Sequence, residues 1–564
     1  MGQNNQGMSK KKIYAKLVIT VIVLTLLIIC IKSMPRILYC KAFISGVSNS
    51  VPVYSETKNK TAKLDVSQLT AVRGNIVKRY LHKISKDGNV YRLISLNGKK
   101  YYINDKNLSF TKRGAIQEKE IYVRTPATVY SDEKSPKIMG FAPKGAKYEI
   151  IDYDKLDDDG YVNKYKISYS EKTNNTSEES KQGYIHGKYV KGTEKEALEH
   201  YNKNGEFDKS HKDNYGIELY GGKAENLDLF PYQAAPIKDK DLCKDARAMY
   251  INTYASVHLD EYVKLIKETD CNSVVIDIKD GPLTYNSDIA KEISPTSYEK
   301  AYATKEDFAK GVKAYKDTGV YTIGRIVVFN DKRYAKDHPE NCIKDGNDTG
   351  WPSGFSREVW EYNVRIALEA VEKFGFDEIQ FDYVRFPESS YEMSKDKNVD
   401  FRNKYNEDKA QAIQGFCMYA TDMIHEAGAY VSVDVFGESA GGYVTAYGQY
   451  WPAISNVVDA ISAMPYTDHF GRDVDTWTDP YSTMLSWSKN AARQQAKIES
   501  PAIARTWITG YDTPYWNTTV NYDTKKMKAQ INALKDGGLD GGFIPWKVGS
   551  NLEKYKQYKS IWNK

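Results

Sequence analysis

The sequence predicts an α/β chain whose larger part is a (β/α)8 TIM barrel, preceded by a transmembrane helix and one or two small SH3-like β-barrels. Three observations predict it. From about residue 245 onward, short runs rich in β-branched and aromatic residues alternate with amphipathic helical segments, eight times over about 300 residues, which is the count and size of such a barrel. No glycine-rich phosphate loop follows any of these runs, which weighs against a doubly wound sheet. Before residue 192 the pattern differs, with strand-like runs set between Gly, Asn and Asp turns.

In chain order, residues 1–12 are polar, end in Lys10-Lys11-Lys12 and read as a cytoplasmic tail. Residues 13–31 are almost wholly apolar, interrupted only by Lys16, whose stem can snorkel to an interface. Roughly twenty apolar residues span a bilayer. No small-residue cleavage site follows, so an uncleaved signal anchor is expected in place of a removed signal peptide. Lys32, Arg36 and Lys41 nearly balance the basic residues before the span, and charge alone leaves the orientation open. The bulk of the chain is expected outside the cytoplasm.

Residues 45–110 and 120–191 read as two small β modules. A weak repeat supports this: Val51-Pro-Val-Tyr-Ser55 resembles Ala127-Thr-Val-Tyr-Ser131, and Gly98-Lys-Lys-Tyr-Tyr-Ile103 resembles Gln182-Gly-Tyr-Ile185. The modules resemble bacterial SH3-like domains, which implies either cell-wall contact or a spacer role. Residues 170–181, SEKTNNTSEESK, have the composition of a disordered insertion. Residues 192–240 read as a charged linker with one short helix at 194–202, and residues 245–562 as the barrel domain.

Barrel strands are expected at 248–254, 273–280, 321–329, 378–386, 430–437, 460–466, 505–511 and 541–546. Helical spacing places Leu259, Tyr262, Val263 and Ile266 on one face of 258–269, and Trp360, Val364, Leu368 and Val371 on one face of 357–374. Thr304 and Asp307 form a capping-box pattern at the start of another helix, which Gly319 can close.

Composition narrows the function. A net charge of +6 over 564 residues, without a dense basic stripe, weighs against nucleic acid. The six cysteines show no C-x-x-C spacing, so neither a zinc site nor a disulfide framework is read, and no cofactor is implied. Forty-five tyrosines suit both strands and sugar stacking.

The stretch FDEIQFDYVRFP, residues 376–387, reads as a turn, a buried strand and a stop at Pro387. A carboxyl at the end of an apolar strand is expensive to bury unpaired, and the C-terminal end of barrel strands is where chemistry sits. Asp382 is therefore either a structural partner of Arg325 or Arg385, or a catalytic carboxyl. The other predicted strand ends bring Asp277, Lys279 and Asp280, then Arg325, Arg385, Asp434 and Glu438, then His469, Asp512 and Trp546. Carboxyls on successive strands beside aromatics are what glycoside hydrolysis requires, one acid protonating the leaving oxygen and a second attacking or activating water.

Residues from about 245 to 550 resemble the DUF4015 family of TIM-barrel, glycoside-hydrolase-type bacterial proteins. The resemblance rests on Tyr250-Ile-Asn, Val275-Ile-Asp-Ile-Lys-Asp280, Gly324-Arg-Ile-Val-Val-Phe329, Phe381-Asp-Tyr-Val-Arg-Phe-Pro387, Val433-Asp-Val-Phe-Gly437 and Trp546. It implies a catalytic role for Asp382. The wider α-amylase-like group implies a nucleophile at Asp382, an acid/base at Glu438 and a stabiliser at Asp512. Two departures mark the transfer: Asp512 lacks the His-Asp pair of that group, and Asp382 sits in a different local motif.

Three decoys accompany this reading. Gly437-Glu-Ser-Ala-Gly441 matches the G-x-S-x-G pattern of serine esterases, but no suitably placed late His follows. His425-Glu426 lacks the second His of a zinc-protease helix. His258, Trp351 and Trp516 suit packing as well as a cleft. The expected function is a membrane-anchored hydrolase of an extracellular or wall polysaccharide; the alternative is a non-catalytic carbohydrate-binding or scaffold barrel of the cell envelope.

Overall fold

The computed structural model describes residues 5–56, 64–171, 179–232, 237–470, 477–515 and 518–563. They divide into two compact units, residues 1–123 with 146–197, and 124–145 with 198–564.

The first unit opens with a helix, Asn5–Ile37. Its segment Tyr14–Ile37 has 24 residues, a mean hydropathy of 2.7 and no buried share. At 1.5 Å per residue it is about 36 Å long, enough to cross a hydrocarbon core of about 30 Å. Seven strands follow from Tyr39–Ile44 to Leu108–Ser109, paired antiparallel in one sheet. Their core is Ile44, Val51, Val53, Ala71, Val77, Ile94, Leu96 and Ile103. A second set of seven strands begins at Glu120–Val123 and ends at Val190–Lys191, of which Ala127–Tyr130 and Ile138–Ala142 belong to the second unit, and in each set a 3-10 turn precedes the last strand. Both repeat pairs fall on corresponding elements. Val51–Ser55 lies in the second strand of its set, Ser50–Glu56, and its counterpart in the second of the other, Ala127–Tyr130. The later pair lies in the sixth strands, Lys99–Asn104 and Glu179–His186. Of the expected insertion at 170–181, residues 172–178 lie outside the described residues; those flanking them extend the strands Lys164–Glu171 and Glu179–His186.

The second unit contains a ring of parallel strands. We number them β1 (Ala246–Ile251), β2 (Ser273–Lys279), β3 (Tyr321–Val327), β4 (Glu378–Asp382), β5 (Tyr430–Phe436), β6 (Ala460–Met464), β7 (Ile503–Ala504), β8 (Thr506–Thr509) and β9 (Gly542–Trp546). Each pairs with the next from β1 to β7, β8 pairs with β9, and β9 returns to β1. Chain continuity through Arg505 joins β7 to β8. The result is a nearly closed nine-strand parallel barrel that fits a TIM barrel, in which β7 and β8 are halves of one stave. All eight expected strands are present, most ending short of the expected C-terminal limit because the chain turns into loops there.

The helices α1 (Asp260–Lys267), α2 (Lys305–Lys316), α3 (Arg357–Phe374) and α4 (Lys409–Glu426) follow β1 to β4. Thr304 caps α2 by accepting from the Asp307 N–H, and Gly319, at φ 83°, closes the turn after the helix by donating its N–H to the Lys316 carbonyl. Gly375, at φ 67°, closes α3 in a left-handed turn that glycine adopts without a Cβ clash.

The barrel interior is polar in layers. On β4, Phe381 faces the helices, its ring 5.3 Å from Phe416 of α4. Glu378, Gln380 and Asp382 face inward, following the period of two. Glu378 accepts from Arg505 at 2.6 Å with both side chains fully buried, and Gln380 donates to Ser462 at 3.2 Å. Apolar Ala248, Val275, Ile323 and Ile544 pack with Tyr250, Tyr466 and Trp507 to complete the interior.

Two outer segments belong to this unit. The hairpin Ala127–Tyr130 with Ile138–Ala142 docks on α3 and α4, with the Ile138 N–H donating to Glu361 and the Tyr419 hydroxyl to the Pro136 carbonyl. Of the stretch that reads as linker, the helix Glu194–Leu198 falls almost wholly in the first unit, whereas in the second Leu227 and Leu229 are buried against Ala410, Val444, Tyr450 and Ala453. Gln414 clamps the Asp228 backbone N–H and C=O, while the Asp228 carboxyl pairs with Arg124 at 2.7 Å. The apolar Leu-x-Leu pair buries this stretch, which its charged neighbours obscure in the sequence.

Candidate active site at the barrel mouth

Asp382 ends β4. The next residue, Tyr383, adopts φ 53°, a left-handed conformation that an aromatic residue rarely takes and that marks backbone strain. This turn lets the Tyr383 N–H donate back to Asp382 Oδ1 at 2.6 Å. The other oxygen accepts from Arg325 Nη2 at 2.5 Å. Of the two ion-pair partners read from the sequence, Arg325 is the one bonded.

Arg325, on β3, is the hub. Its Nη1 donates to Asp277 Oδ1 at 2.7 Å, Asp280 lies at 3.6 Å, and its Nε lies 3.7 Å from Asp434 Oδ2. Tyr250 donates its hydroxyl to Asp277 Oδ2 at 2.5 Å, and Trp507 donates its indole N–H to Asp434 Oδ1 at 2.8 Å. The guanidinium lies 5.8 Å from the Tyr250 ring centroid and 5.6 Å from that of Trp546. Asp277, Asp382 and Asp434 are all buried around this one cation, so the interior carries more acids than positive charge. Burial and then the neighbouring Asp382 push the Asp434 carboxyl well above the usual range, against the pull of Arg325. Burial pushes Asp277 up to about 7, again opposed by Arg325. Both carboxyls at the mouth are thus held above the ordinary carboxylate range by their burial.

Glu438 lies on the 3-10 turn Gly437–Gly441 that follows β5. Its oxygens accept from the Tyr443 hydroxyl at 3.2 Å and the Tyr447 hydroxyl at 2.8 Å. Gln449 ties the ends of β4 and β5 together: its Oε1 accepts from the Phe436 N–H, and its Nε2 donates to the Val384 carbonyl.

The remaining candidates are placed differently. Lys279 is buried and donates to Asp331 at 2.8 Å and to Asn363 of α3 at 2.6 Å, so its ammonium is committed away from the Arg325 cluster. Asp512 accepts from Lys554 at 2.6 Å and from the Tyr522 N–H. Partial burial pushes its carboxyl up, and these hydrogen bonds outweigh it and hold the group below the usual range. His469 is exposed and lies edge-on to Tyr466. Arg385 is buried and donates to Glu388 at 3.1 Å. Trp546 is half-buried over Arg325 and 4.8 Å from Tyr250.

Three of the decoy residues are engaged in local contacts. The Ser439 hydroxyl donates to the Phe436 carbonyl, His425 is hydrogen-bonded to Asp459, and His258 stacks on Tyr254. Trp351 lies 6.2 Å from Tyr383, and Trp516 lies outside the described residues. Among the described residues, no group of three or more His, Cys, Asp or Glu is arranged to hold a metal.

Sequence reading gave no site role to Tyr250, Trp507, Tyr443, Tyr447 or Gln449. Tyr250 and Trp507 occupy inward positions of their strands, where alternation could have marked them. The other three lie on a loop without periodicity, and only the fold brings them to Glu438 and the strand ends.

Comparison with known proteins matches one family model. Residues 248–551 match DUF4015, described as a "putative glycosyl hydrolase domain". No curated relative matches the chain. Among solved structures, a hypothetical protein from Ruminiclostridium thermocellum ATCC 27405 is 32% identical over 33% of this chain and 97% of its own, with a TM-score of 0.27. The glycoside hydrolase domain of PgaB (BpsB) from Bordetella bronchiseptica is 12% identical over 57% of this chain and 99% of its own, with a TM-score of 0.41. The C-terminal domain of a putative chitinase from Desulfitobacterium hafniense DCB-2 is 14% identical over 57% and 99%, with a TM-score of 0.38. Since the family match spans more than half of the 564 residues, the chain belongs to the DUF4015 glycosyl hydrolase-type family.

Proposed function

We propose that this protein is a membrane-anchored glycosidase that cleaves a polysaccharide outside the cytoplasm, with its site at the mouth of a (β/α)8 barrel. The observation that carries the reading is the cluster of Asp277, Asp382 and Asp434 around Arg325, with Glu438 held by two tyrosine hydroxyls on the next strand's loop. Glycoside hydrolysis needs two carboxyls with different roles. Asp382, oriented from both sides by Arg325 and the Tyr383 N–H, is assigned as nucleophile or electrostatic stabiliser. Glu438, exposed and set by hydroxyls, is assigned as general acid/base. Asp277, Asp280, Asp434, Arg325, Arg385, His469 and Trp546 are the groups we assign to line the sugar path, Trp546 offering a face for stacking. Asp512, tied to Lys554, keeps the lesser role of a rim carboxyl, and Lys279 that of a support behind β2.

The apolar helix serves in this reading as the anchor, and the two β modules, read as SH3-like, as spacers or wall contacts. The test is hydrolysis of a panel of envelope and extracellular polysaccharides by wild type, Asp382→Asn and Glu438→Gln. Each variant is expected to lose turnover while keeping the wild-type melting temperature. Full turnover in both would refute the assignment, and binding without product in the wild type would make the barrel a carbohydrate-binding module.

A further inference from the structure

Beside the carboxyl cluster, the loop after β4 builds a second feature that the acid chemistry does not use. A cavity of 400 Å3 is lined by Trp351, Arg385, Pro387, Glu388, Ser389 and Met393, within the roughly 300–1,000 Å3 typical of small-molecule sites. Its one cationic group is Arg385. This guanidinium is held against aromatic faces, 4.3 Å from the Phe436 centroid, 4.8 Å from Tyr383 and 5.4 Å from Trp351. Its Nη1 donates to the Phe386 carbonyl and its Nη2 to Glu388.

The two ends of that ion pair differ sharply. The Arg385 side chain is 5% exposed and that of Glu388 72% exposed. Burial pulls the guanidinium below its ordinary range, and Glu388 only partly offsets this. A buried guanidinium whose carboxyl partner is a solvent-exposed surface side chain is a site where another anion can take the partner's place at little cost. The aromatic faces around it exclude water and fix the fork, while the cavity leaves room for a ring. Phe436 and Tyr447, whose rings lie 5.2 Å apart, connect this pocket to Glu438, which accepts from the Tyr447 hydroxyl.

We propose that this cavity is a subsite for an anionic sugar, a pyranose bearing a carboxylate, sulfate or phosphate that displaces Glu388 from Arg385, so that the polysaccharide handled at the barrel mouth is an acidic one. The inference rests on reading that mouth as a sugar cleft, and it names the class of polymer. Carboxylate, sulfate and phosphate share the oxygen geometry that a guanidinium fork accepts, and a neutral polymer would leave Glu388 in place.

The test measures binding of the full chain in detergent micelles by calorimetry. The probes are an oligogalacturonide, its carboxyl-reduced neutral form, a sulfated dextran oligomer and a phosphorylated one of equal length. Wild type is expected to bind at least one acidic oligomer about tenfold or more tighter than the neutral one, and the three acidic probes distinguish which anion is preferred. Arg385→Gln is expected to erase that preference. Because Arg385 packs in a buried setting, Glu388→Gln provides an independent variant on the surface: freeing the guanidinium should tighten acidic binding a few-fold and leave neutral binding unchanged. Equal binding of acidic and neutral probes by wild type, or no response to Glu388→Gln, would overturn the proposal. Release of reducing ends is scored in parallel, so an anion preference without hydrolysis would refute the hydrolase reading and leave the subsite standing.

Discussion

Replacing Asp277 by Asn should change the pH dependence of barrel stability more than the stability itself. Asp277 is 1% exposed, and its carboxyl sits at about 7 in the fold against 3.8 for the ordinary group. A folded value above the unfolded one means that this residue's contribution is full below about pH 4 and is lost as pH rises through 7. The displacement corresponds to roughly 4 kcal/mol as an upper figure. Asparagine resembles the protonated acid in shape and charge. Its Oδ1 can still accept from Arg325, and its amide can donate to the Tyr250 hydroxyl. Asp277→Asn is therefore expected to match wild type below about pH 4, to exceed it progressively as pH rises to about 7, and to keep a constant margin above that. Asp434, also pushed upward beside Asp382, contributes a loss of the same sign to both proteins, so the difference between the two curves reports Asp277 together with its coupling to Asp434 through Arg325. The assay is denaturant unfolding at stepped pH, followed by tryptophan fluorescence. All nine tryptophans lie between Trp351 and Trp562, within the barrel unit, so the signal reports that unit alone. Two curves that stay parallel from pH 4.5 to 8 would refute the reasoning.

Two further predictions concern the interior and the mouth. At the opposite end of the barrel from the mouth, Arg505→Met strands the fully buried Glu378, which keeps only Ser432 and Tyr321 as partners. It should cost about 3–5 kcal/mol in the same unfolding assay, and a Glu378→Leu/Arg505→Met double variant should cost less. Trp546→Ala removes the aromatic face over Arg325, and glycan binding measured by calorimetry should weaken about 3–10-fold, with Trp546→Phe closer to wild type.

Much of the barrel was legible because its strands and helices carry different periods. The run from Glu378 to Asp382 alternates two sets of side chains, and 357–374 repeats apolar residues at helical spacing, ending at Gly375; the chain folds there as α3 with those same limits. The repeat between the β modules was equally legible, since corresponding strands carry corresponding residues. The carboxyls at strand ends were also readable one by one, because strand direction places them at a common face.

Their partners were not. Nothing in the spacing of 250, 277, 325, 382, 434 and 507 says that Tyr250 would hold Asp277, that Trp507 would hold Asp434, or that Arg325 rather than Arg385 would take Asp382. Local sequence specifies which way a side chain leaves its own strand, since that depends on the residue's immediate backbone. Which groups meet across the ring depends on register between strands tens to hundreds of residues apart, and so does how many acids share one cation. Burial inside the closed ring raises Asp277 and Asp434 against the pull of Arg325, and that ring is a property of all the staves together.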